Sequence, residues 1–410
     1  MQRNILLLPD IHWGVIDPDD QWKALQFITE SIQYMIMKGV YIDLIVIAGD
    51  YFDSKLPLNS REAIKAIQWF HELYSICYRE NIQLRLLQGT FEHDNDQLQA
   101  FMPMTKIPEL NESTGDWEDT SDFFKIFTTT TSEETLPGLH CIYCPDETLQ
   151  TDDYEETYLN EILKIHDIGF FHGAFDVVYG SLLESNQSLR EKKNVIFNYK
   201  LWDHVIRGPL LAGHWHDGKQ WGHLYYGGSP FRFKFDEDEE KGILFVSYDT
   251  ETHDYFVDKI KNPFPSEYVT FETYSNVCTK KDALTHLIDQ VEQCYAQMQK
   301  PPLCYTKNRI RIVFHIVDDN PNNDITIASL RAQFINRKDI KLVIKNKLKK
   351  KRKTEEKKKI ETIEKTYSFI HEKDSYPETI RKFIEEEYHE NVPLEFIQQK
   401  FHEHIKKEMR

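Results

Sequence analysis

The chain lacks long apolar runs and has few cysteines. None of its 410 residues lies in a run of 18 apolar side chains, and Met1 leads into a strand pattern without a basic segment and an apolar leader. We therefore expect neither a membrane span nor a signal peptide. The protein is expected to be cytoplasmic. The six cysteines fit a reducing compartment. Cys141 and Cys144 have C-x-x-C spacing without a second pair for zinc, so we expect them to pack within a strand.

An excess of positive charge is also missing. The formal net charge is −17. Residues 341–359 contain eleven lysines or arginines and two glutamates, which gives this segment a charge of +9 and the remainder −26. A surface with few cations makes few phosphate contacts, so we expect the isolated chain to bind nucleic acid weakly.

Five short polar clusters follow apolar runs that are typical of buried strands. The runs are Ile5–Leu8, Leu44–Ile47, Leu84–Leu87, Ile168–Phe171 and Leu210–Ala212. The clusters are Asp10-Ile11-His12, Gly49-Asp50-Tyr51-Phe52-Asp53, His93-Asp94, His172-Gly173 and Gly213-His214-Trp215-His216. In α/β proteins, sites form where strands end, because the loops there vary while the strands hold their roots rigid.

The residue types in these clusters predict a site for two metal ions. Carboxylates and imidazoles are suitable ligands for paired divalent cations, which need one bridging carboxylate and favour attack on phosphorus. Asp50 is the natural bridge. Taken singly, each cluster is equally typical of a turn or a cap, and only the five in this order favour the metal site.

The clusters resemble those of the calcineurin-like metallophosphoesterase superfamily over residues 1–258. Within it the chain is similar to SbcD-type nucleases of double-strand-break repair, including the small subunits of phage recombination nucleases. This narrower resemblance rests on Asp-x-His-Trp-Gly at residues 10–14, on Gly-His-Trp-His at 213–216, and on Gly228-Ser229-Pro230 with Lys241-Gly242. It implies an α/β fold, a four-layer α/β/β/α metallophosphoesterase sandwich.

The resemblance also implies two Mn²⁺ ions, with Mg²⁺ as an alternative. One ion would be held by Asp10, His12, Asp50 and His216. The other would be held by Asp50, His172, His214 and one ligand from the third cluster.

The third cluster departs from the family pattern Gly-Asn-His-Asp. Here the segment is Gly89-Thr90-Phe91-Glu92-His93-Asp94, with two extra residues and no asparagine. Alignment on His-Asp puts Glu92 at the ligand position, with Thr90 as the weaker candidate and a water molecule as the alternative. His93 matches the family's catalytic histidine, which acts on the phosphate or on the leaving oxygen.

Asp53 and Asp94 are predicted to support catalysis by fixing imidazole tautomers. Ordinary capping and loop hydrogen bonds are the alternative for both residues.

Four regions are predicted along the chain. Residues 1–262 would form the metallophosphoesterase nuclease domain, with helices at 19–38 and 59–79 and closing strands of the second sheet at 220–226, 242–247 and 255–260. Residues 263–345 would form a small α+β capping domain, with strands at 268–271, 309–316 and 340–344 and helices at 281–299 and 325–334. Residues 346–367 would be a basic linker, and 368–410 a C-terminal helical pair that docks on an ATPase partner.

The expected function is that of a two-metal-dependent DNA nuclease, both exonuclease and endonuclease. It would be a subunit of an SbcCD-like complex in a bacterial cell or phage-infected host, acting on duplex ends and single-stranded DNA in recombination, repair or replication. The implied partner is an SbcC-type ATPase with a coiled coil, and the implied assembly is a homodimer within a heterotetramer. Two alternatives stay open: a stand-alone metallophosphoesterase for small phosphate esters or cyclic nucleotides, and a metal-free binding scaffold.

Overall fold

The structure is a computed structural model that describes most of the chain up to residue 347. The described residues are 1–105, 108–110, 117–119, 123–146, 164–178, 196–235, 237, 240–263, 268–278, 280–298, 309–337 and 339–347. The predicted helical pair, and the predicted linker apart from residues 346 and 347, lie outside this range.

The fold is mixed α/β, as the strand and helix patterns predict. The strands are β1 (Gln2–Leu8), β2 (Leu44–Ala48), β3 (Gln83–Leu87), β4 (Pro108–Leu110), β5 (Trp117–Asp119), β6 (Phe124–Phe127), β7 (Thr131–Leu136), β8 (Leu139–Cys144), β9 (Ile168–His172), β10 (Ala174–Phe175), β11 (Ile196–Phe197), β12 (Leu210–Gly213), β13 (Lys219–Trp221), β14 (Leu224–Tyr226), β15 (Gly242–Asp249), β16 (Tyr255–Lys261), β17 (Tyr268–Tyr274), β18 (Arg309–Ile316) and β19 (Ile340–Asn346).

Of the seven helices in the described residues, the four longest begin and end within two residues of the predicted amphipathic segments, and the three short ones were not predicted. The helices are α1 (Pro18–Met37), α2 (Arg61–Arg79), α3 (Phe91–Asp94), α4 (Tyr199–Val205), α5 (Ser275–Cys278), α6 (Lys281–Met298) and α7 (Asn323–Phe334), with a 3₁₀ segment at Asn95–Thr105. The Ser60 side chain caps α2 by accepting a hydrogen bond from the Ala63 N–H at 3.1 Å. No helix in the described residues is both long enough and apolar enough to cross a bilayer.

The first sheet has six strands in the order β16-β15-β1-β2-β3-β6. Strands β1, β2, β3 and β6 run parallel, whereas β15 pairs antiparallel with β1, and β16 with β15. The prediction that these last two strands close the second sheet is therefore wrong. Apolar alternation indicates a half-buried strand but does not say which sheet edge it joins.

The second sheet has the order β13-β14-β12-β9-β8-β7. Its inner strands β14, β12, β9 and β8 are parallel, and β13 and β7 are antiparallel edges. The predicted single strand at 220–226 is a hairpin instead, because Gly222 has a positive φ of 55° and turns the chain between β13 and β14.

Three apolar cores pack the helices and the two sheets together. One lies between the first sheet and helices α1 and α2, and includes Trp69 and Phe70. The second lies between the two sheets, and the third between the second sheet and α4. Cys141 and Cys144 lie on opposite faces of β8, in the second and third cores, so the prediction that they pack within a strand is confirmed.

The main chain groups into two compact units. The described residues of the first lie within 1–271, 287–312 and 334–341, and those of the second are 272–278, 280–286, 313–333 and 342–347. Strands β17, β18 and β19 form a three-stranded sheet in that order, with bounds that match the predicted strands closely. In the second unit the Tyr274 ring stacks on His315 with centroids 4.8 Å apart. The predicted domain limits at residues 262 and 345 stay predictions.

A buried ion pair joins the two sheets. Arg85, in β3, is 1% exposed, and its Nε donates to Glu133 Oε1, in β7, at 2.7 Å. Glu133 also pairs with Lys125 at 2.7 Å. Burial acts to raise the pKa of Glu133, but Arg85 and Lys125 hold it below its usual value. Breaking a buried pair leaves an uncompensated charge, which costs more than the pair itself contributes.

We therefore predict that Glu133→Ala lowers the free energy of unfolding by about 3 kcal/mol, because the Arg85 guanidinium stays buried without its carboxylate. Denaturant unfolding measures this change. Glu134→Ala, an exposed neighbour on the same strand, is the matched control and should cost less than about 1 kcal/mol. Equal losses in the two variants would contradict a structural role for the buried pair.

Candidate metal centre

Six of the seven predicted ligands, all except Glu92, meet where the parallel strands of both sheets end. Asp10 and His12 follow β1, Asp50 follows β2, and His172 is the last residue of β9. His214 and His216 follow β12. They form groups whose ligand atoms lie within 4.8 Å of one another: Asp10 with His12 and His216, Asp50 with His172 and His214, and His12 with Asp50 and His93.

Four of these residues have left-handed backbone conformations. The φ angles are 53° at Asp10, 50° at His12, 49° at Asp50 and 88° at His214. Such conformations are strained for residues with a Cβ, and they persist where the surroundings determine them. They occur in the three loops whose side chains meet just beyond the strand ends.

Main-chain hydrogen bonds hold the first two loops together. The His12 N–H donates to the Asp50 carbonyl at 2.9 Å, and the Trp13 N–H donates to the Tyr51 carbonyl at 2.8 Å. Glycine is required at Gly89, where a Cβ would lie 2.0 Å from the Asp50 nitrogen. These close approaches fix Asp50 relative to both neighbouring loops.

The Asp50 carboxylate lies between two sets of imidazoles. Its Oδ1 is 3.2 Å from His172 Nε2, and its Oδ2 is 3.5 Å from His12 Nε2. The residue is only 2% exposed. One oxygen faces each set, which is the arrangement that a bridging carboxylate needs.

Carboxylates lie beside the histidines on the His12 side. The Nε2 atoms of His12 and His216 lie 3.0 Å apart. Their Nδ1 atoms face carboxylates, with His12 3.3 Å from Asp53 Oδ1 and His216 3.0 Å from Glu237 Oε1. A carboxylate at Nδ1 favours the tautomer whose Nε2 is available to a cation. Asp53 lies beside His12, and its supporting role stays a prediction.

On the other side of Asp50, the Nδ1–H of His172 donates to the Ala48 carbonyl at 2.7 Å, which leaves Nε2 facing Asp50. The main chain of β2 in the first sheet thus sets the tautomer of a histidine in the second sheet.

Sequence reasoning missed Glu237, which lies in an acidic run without a strand pattern or a motif. Its Oε2 accepts from the Phe233 N–H at 3.2 Å and lies 3.2 Å from Lys241 Nζ. Lys241 in turn donates to the His216 carbonyl at 2.8 Å. Burial acts to raise the pKa of Glu237, but its bond to His216 and the Lys241 charge lower it, so the carboxylate stays ionised.

The ionisable groups of the centre shift one another's pKa values. Burial opposes ionisation of Asp50, but His172 holds the pKa of Asp50 well below its usual value. Burial likewise opposes protonation of His172, but Asp50 raises its pKa to about 10. Burial raises the pKa of Asp10 to about 6 and lowers that of His214 to about 4.

Among the candidate ligands, three buried polar atoms have no hydrogen-bond partner in the described residues, namely Asp10 Oδ2, His12 Nδ1 and His214 Nδ1. Isolated polar atoms of this kind are costly in a protein interior. A carboxylate oxygen and an imidazole nitrogen are suitable ligands for divalent cations such as Mn²⁺. The donor set therefore fits the two predicted ions.

His93 lies beside the same centre. Its Nδ1 hydrogen-bonds to the main-chain carbonyl of Asp53, and its ring packs edge-on against His12 with centroids 4.9 Å apart. Its distance to His12 and Asp50 also suits a metal ligand. The prediction that it acts on phosphate, and not on metal, stays a prediction.

The third loop brings Thr90 to the bridging carboxylate. The Thr90 N–H donates to Asp50 Oδ1 at 2.6 Å, and its hydroxyl donates to Asp50 Oδ2 at 3.3 Å. Glu92 is exposed and joins none of the three groups formed by the described residues. The choice between these two as a ligand stays a prediction.

Asp94 binds main-chain amides. It accepts hydrogen bonds from the N–H groups of Phe52 at 3.0 Å and Gly89 at 2.6 Å. Burial raises its pKa to about 7. Among its described hydrogen bonds none reaches an imidazole, so this carboxylate ties the second and third loops together, which differs from the predicted tautomer role.

No protein-family model matches the chain, and no curated protein matches it.

We predict that Glu237→Ala weakens Mn²⁺ binding by about 10–100-fold, the usual effect of removing a carboxylate that orients a histidine ligand. Calorimetric titration of the full chain measures the affinity. Glu240→Ala, at an exposed glutamate that pairs with Lys261, is the matched control and should bind like the wild type. Unchanged affinity in Glu237→Ala would show that His216 needs no orienting carboxylate.

Proposed function

We propose that the chain is a two-metal-dependent DNA nuclease, the SbcD-type subunit of an SbcCD-like complex, with the four-layer sandwich of calcineurin-like metallophosphoesterases. The observation that carries the proposal is the Asp50 carboxylate, with one oxygen toward His172 and the other toward His12. A metal-free scaffold would not require this arrangement, nor the partnerless buried atoms of Asp10 and His214.

Two cations, when bound, would supply Lewis-acid activation of the phosphodiester and of the attacking water. Asp10, His12 and His216 would hold one ion, His172 and His214 the other, and Asp50 would hold both. The carboxylates of Asp53 and Glu237 keep the rings of His12 and His216 oriented. Side chains that do not bind the ions would thus hold the ligands in fixed positions, which limits reorganisation of the site during the reaction.

His93 is proposed as the catalytic residue that contacts the phosphate or the leaving oxygen. Because its Nδ1 is bonded to the Asp53 carbonyl, its Nε2 is the nitrogen available to substrate. An imidazole in this position can hold a proton at that atom and deliver it to the leaving oxygen.

A cleft beside the centre supports an extended substrate. It has a volume of about 540 Å³ and is lined by Lys234, Arg309, Arg311 and Lys341, with Asp17, Asp20 and Asp339 among its acidic residues. Phe233 lines the same cleft, and its ring lies 4.7 Å from the His216 ring. Cations near aromatic faces suit a phosphate backbone with unstacked bases. The balance of charges keeps the expected affinity low, in keeping with a subunit that relies on a partner.

The proposed partner is an SbcC-type ATPase with a coiled coil, in a heterotetramer that contains a nuclease homodimer. The predicted helical pair at 368–410, which would dock on this partner, lies outside the described residues. This part of the proposal rests on the sequence alone.

We predict that the chain cleaves linear duplex or single-stranded DNA with Mn²⁺ and not with chelator, and that Asp50→Ala abolishes cleavage. Removal of the shared carboxylate should also reduce bound metal below two ions, because both sites lose a ligand. Metal analysis measures the bound ions, and gel assays with and without a co-purified ATPase measure cleavage.

Small phosphate esters and cyclic nucleotides are assayed in parallel. Their hydrolysis without DNA cleavage would favour the stand-alone enzyme. Full activity with two ions in Asp50→Ala would contradict the two-metal site.

We predict that His93→Ala keeps both ions but slows cleavage by about 10²–10⁴-fold, the typical contribution of one positioned acid or electrostatic donor. His71→Ala, at an exposed histidine of α2, is the control and should leave the rate unchanged. Loss of metal together with activity in His93→Ala would make His93 a ligand instead.

A further inference from the structure

The cleft beside the metal centre begins at the candidate ligands themselves. The Phe233 ring lines the cleft, and its centroid lies 4.7 Å from that of His216 and 5.1 Å from that of His12. The next residue, Lys234, also lines the cleft, and its Nζ lies 3.3 Å from His216 Nδ1. All the lining residues belong to the first compact unit. A ligand in the cleft can therefore continue directly into the metal centre.

The Lys234 ammonium is available to such a ligand. The residue is exposed, and its Nζ lies 5.3 Å from the centroid of the Phe233 ring. The nearby His216 Nδ1 faces Glu237 Oε1 at 3.0 Å. A ring nitrogen that donates to a carboxylate cannot also accept a hydrogen bond from an ammonium. The Lys234 protons therefore remain available for an anion that lies between the ligands and the cleft.

Further cations of the cleft come from two neighbouring strands. Arg309 and Arg311 are two residues apart in β18, so their side chains lie on the same face of the sheet. Lys341, in the adjacent strand β19, lines the same cleft. Arg311 is held in place, because its Nε donates to the Thr270 hydroxyl at 3.2 Å and its guanidinium carbon lies 4.8 Å from the centroid of the Phe235 ring. One wall of the cleft thus presents three positive charges.

Two of the three acidic residues in the cleft have other partners. Asp17 Oδ2 lies 3.9 Å from Arg61 Nη1, and Asp339 Oδ2 accepts a hydrogen bond from the Tyr295 hydroxyl at 3.0 Å. These contacts compensate part of the negative charge, whereas the two lysines of the cleft are exposed. An anionic ligand would therefore meet a surface with positive charge available to it.

The size of the cleft suits one nucleotide strand. Its volume of about 540 Å³ lies in the range of pockets that enclose one small ligand. A duplex cannot enter such a space, because the major groove of B-DNA alone is about 12 Å wide. A single strand can place one phosphate at the metal centre and the next beside Lys234.

We propose that the cleft binds a single-stranded segment of the DNA next to the scissile phosphate. Lys234 would contact the first phosphate beyond the scissile one, and the cations of β18 and β19 would contact the phosphates that follow. This inference rests on the proposed nuclease function and deepens it. The strand cut at the metal centre would be unpaired on the side of the cleft, and Lys234 would set its register over the ions.

Fluorescence anisotropy with the full chain tests the assignment, using a labelled oligothymidylate and a blunt duplex of the same length over a range of salt concentrations. Chelator is present, so the measurement does not depend on cleavage. Lys234→Ala should weaken single-strand binding by about 10-fold, the usual loss for one hydrogen bond to a charged group. It should also reduce the slope of log affinity against log salt by about 0.7, the value for one phosphate contact on a single strand. Duplex binding should stay unchanged.

Three further variants sharpen the test. Lys234→Arg keeps the charge and should restore both the affinity and the slope. Arg309→Ala should reduce the slope by the same amount as Lys234→Ala, because it also loses one phosphate contact. Lys200→Ala, at an exposed lysine of α4, which packs on the second sheet, is the matched control and should bind like the wild type.

Calorimetric titration with Mn²⁺ separates a phosphate contact from a disturbed ligand, because Lys234→Ala should keep the wild-type metal affinity. Weaker Mn²⁺ binding with an unchanged salt slope would make Lys234 a structural neighbour of His216 and overturn the assignment. Equal losses of affinity for duplex and single strand would overturn it too. Single-strand binding that depends on Lys234, in a chain that cuts no DNA, would contradict the nuclease proposal and leave the role of the cleft intact. Metal-dependent cleavage of DNA with wild-type single-strand binding in Lys234→Ala would do the reverse.

Discussion

The position of the Asp50 carboxylate is the constraint on which the rest of the structure depends. Its two oxygens face imidazoles from different sheets, at 3.2 Å from His172 and 3.5 Å from His12. The two sheets must therefore meet with their strand ends within hydrogen-bond reach, and the His172 bond to the Ala48 carbonyl shows that they do. The apolar core between the sheets and the Arg85–Glu133 ion pair stabilise this packing of one sheet against the other.

This arrangement has an energetic cost that the surrounding loops offset. Four candidate ligands adopt left-handed backbone conformations, each of which costs on the order of 1–3 kcal/mol. Carboxylates and imidazoles with strongly shifted pKa values are buried together. Main-chain bonds between the first two loops, and Asp94 between the second and third, are the compensating interactions. Cations would relieve the remaining repulsion, so metal binding should be coupled to the stability of these loops.

The local parts of this design could be predicted from the sequence, and the non-local parts could not. Apolar periodicity fixes α2 and β18 within a few residues because a helix or strand records its own buried face. Ligands such as Asp10 and His214 stand directly after such strands. By contrast, the alternation of apolar residues along β15 does not indicate which sheet edge the strand joins, so its pairing with β1 could not be predicted. Glu237 reaches His216 from an acidic run whose residues look alike in the sequence.

The third loop shows why a broken motif is weak evidence against a metal site. Its two extra residues leave Glu92 exposed and bring Thr90 against Asp50, so the loop helps to position the bridging carboxylate. The parallel strands of both sheets end around one point, and therefore any strand that ends there can contribute a side chain. The ligands of such a site therefore come from whichever strands end at that point. A sequence motif shows only the ligands that lie in its own loop.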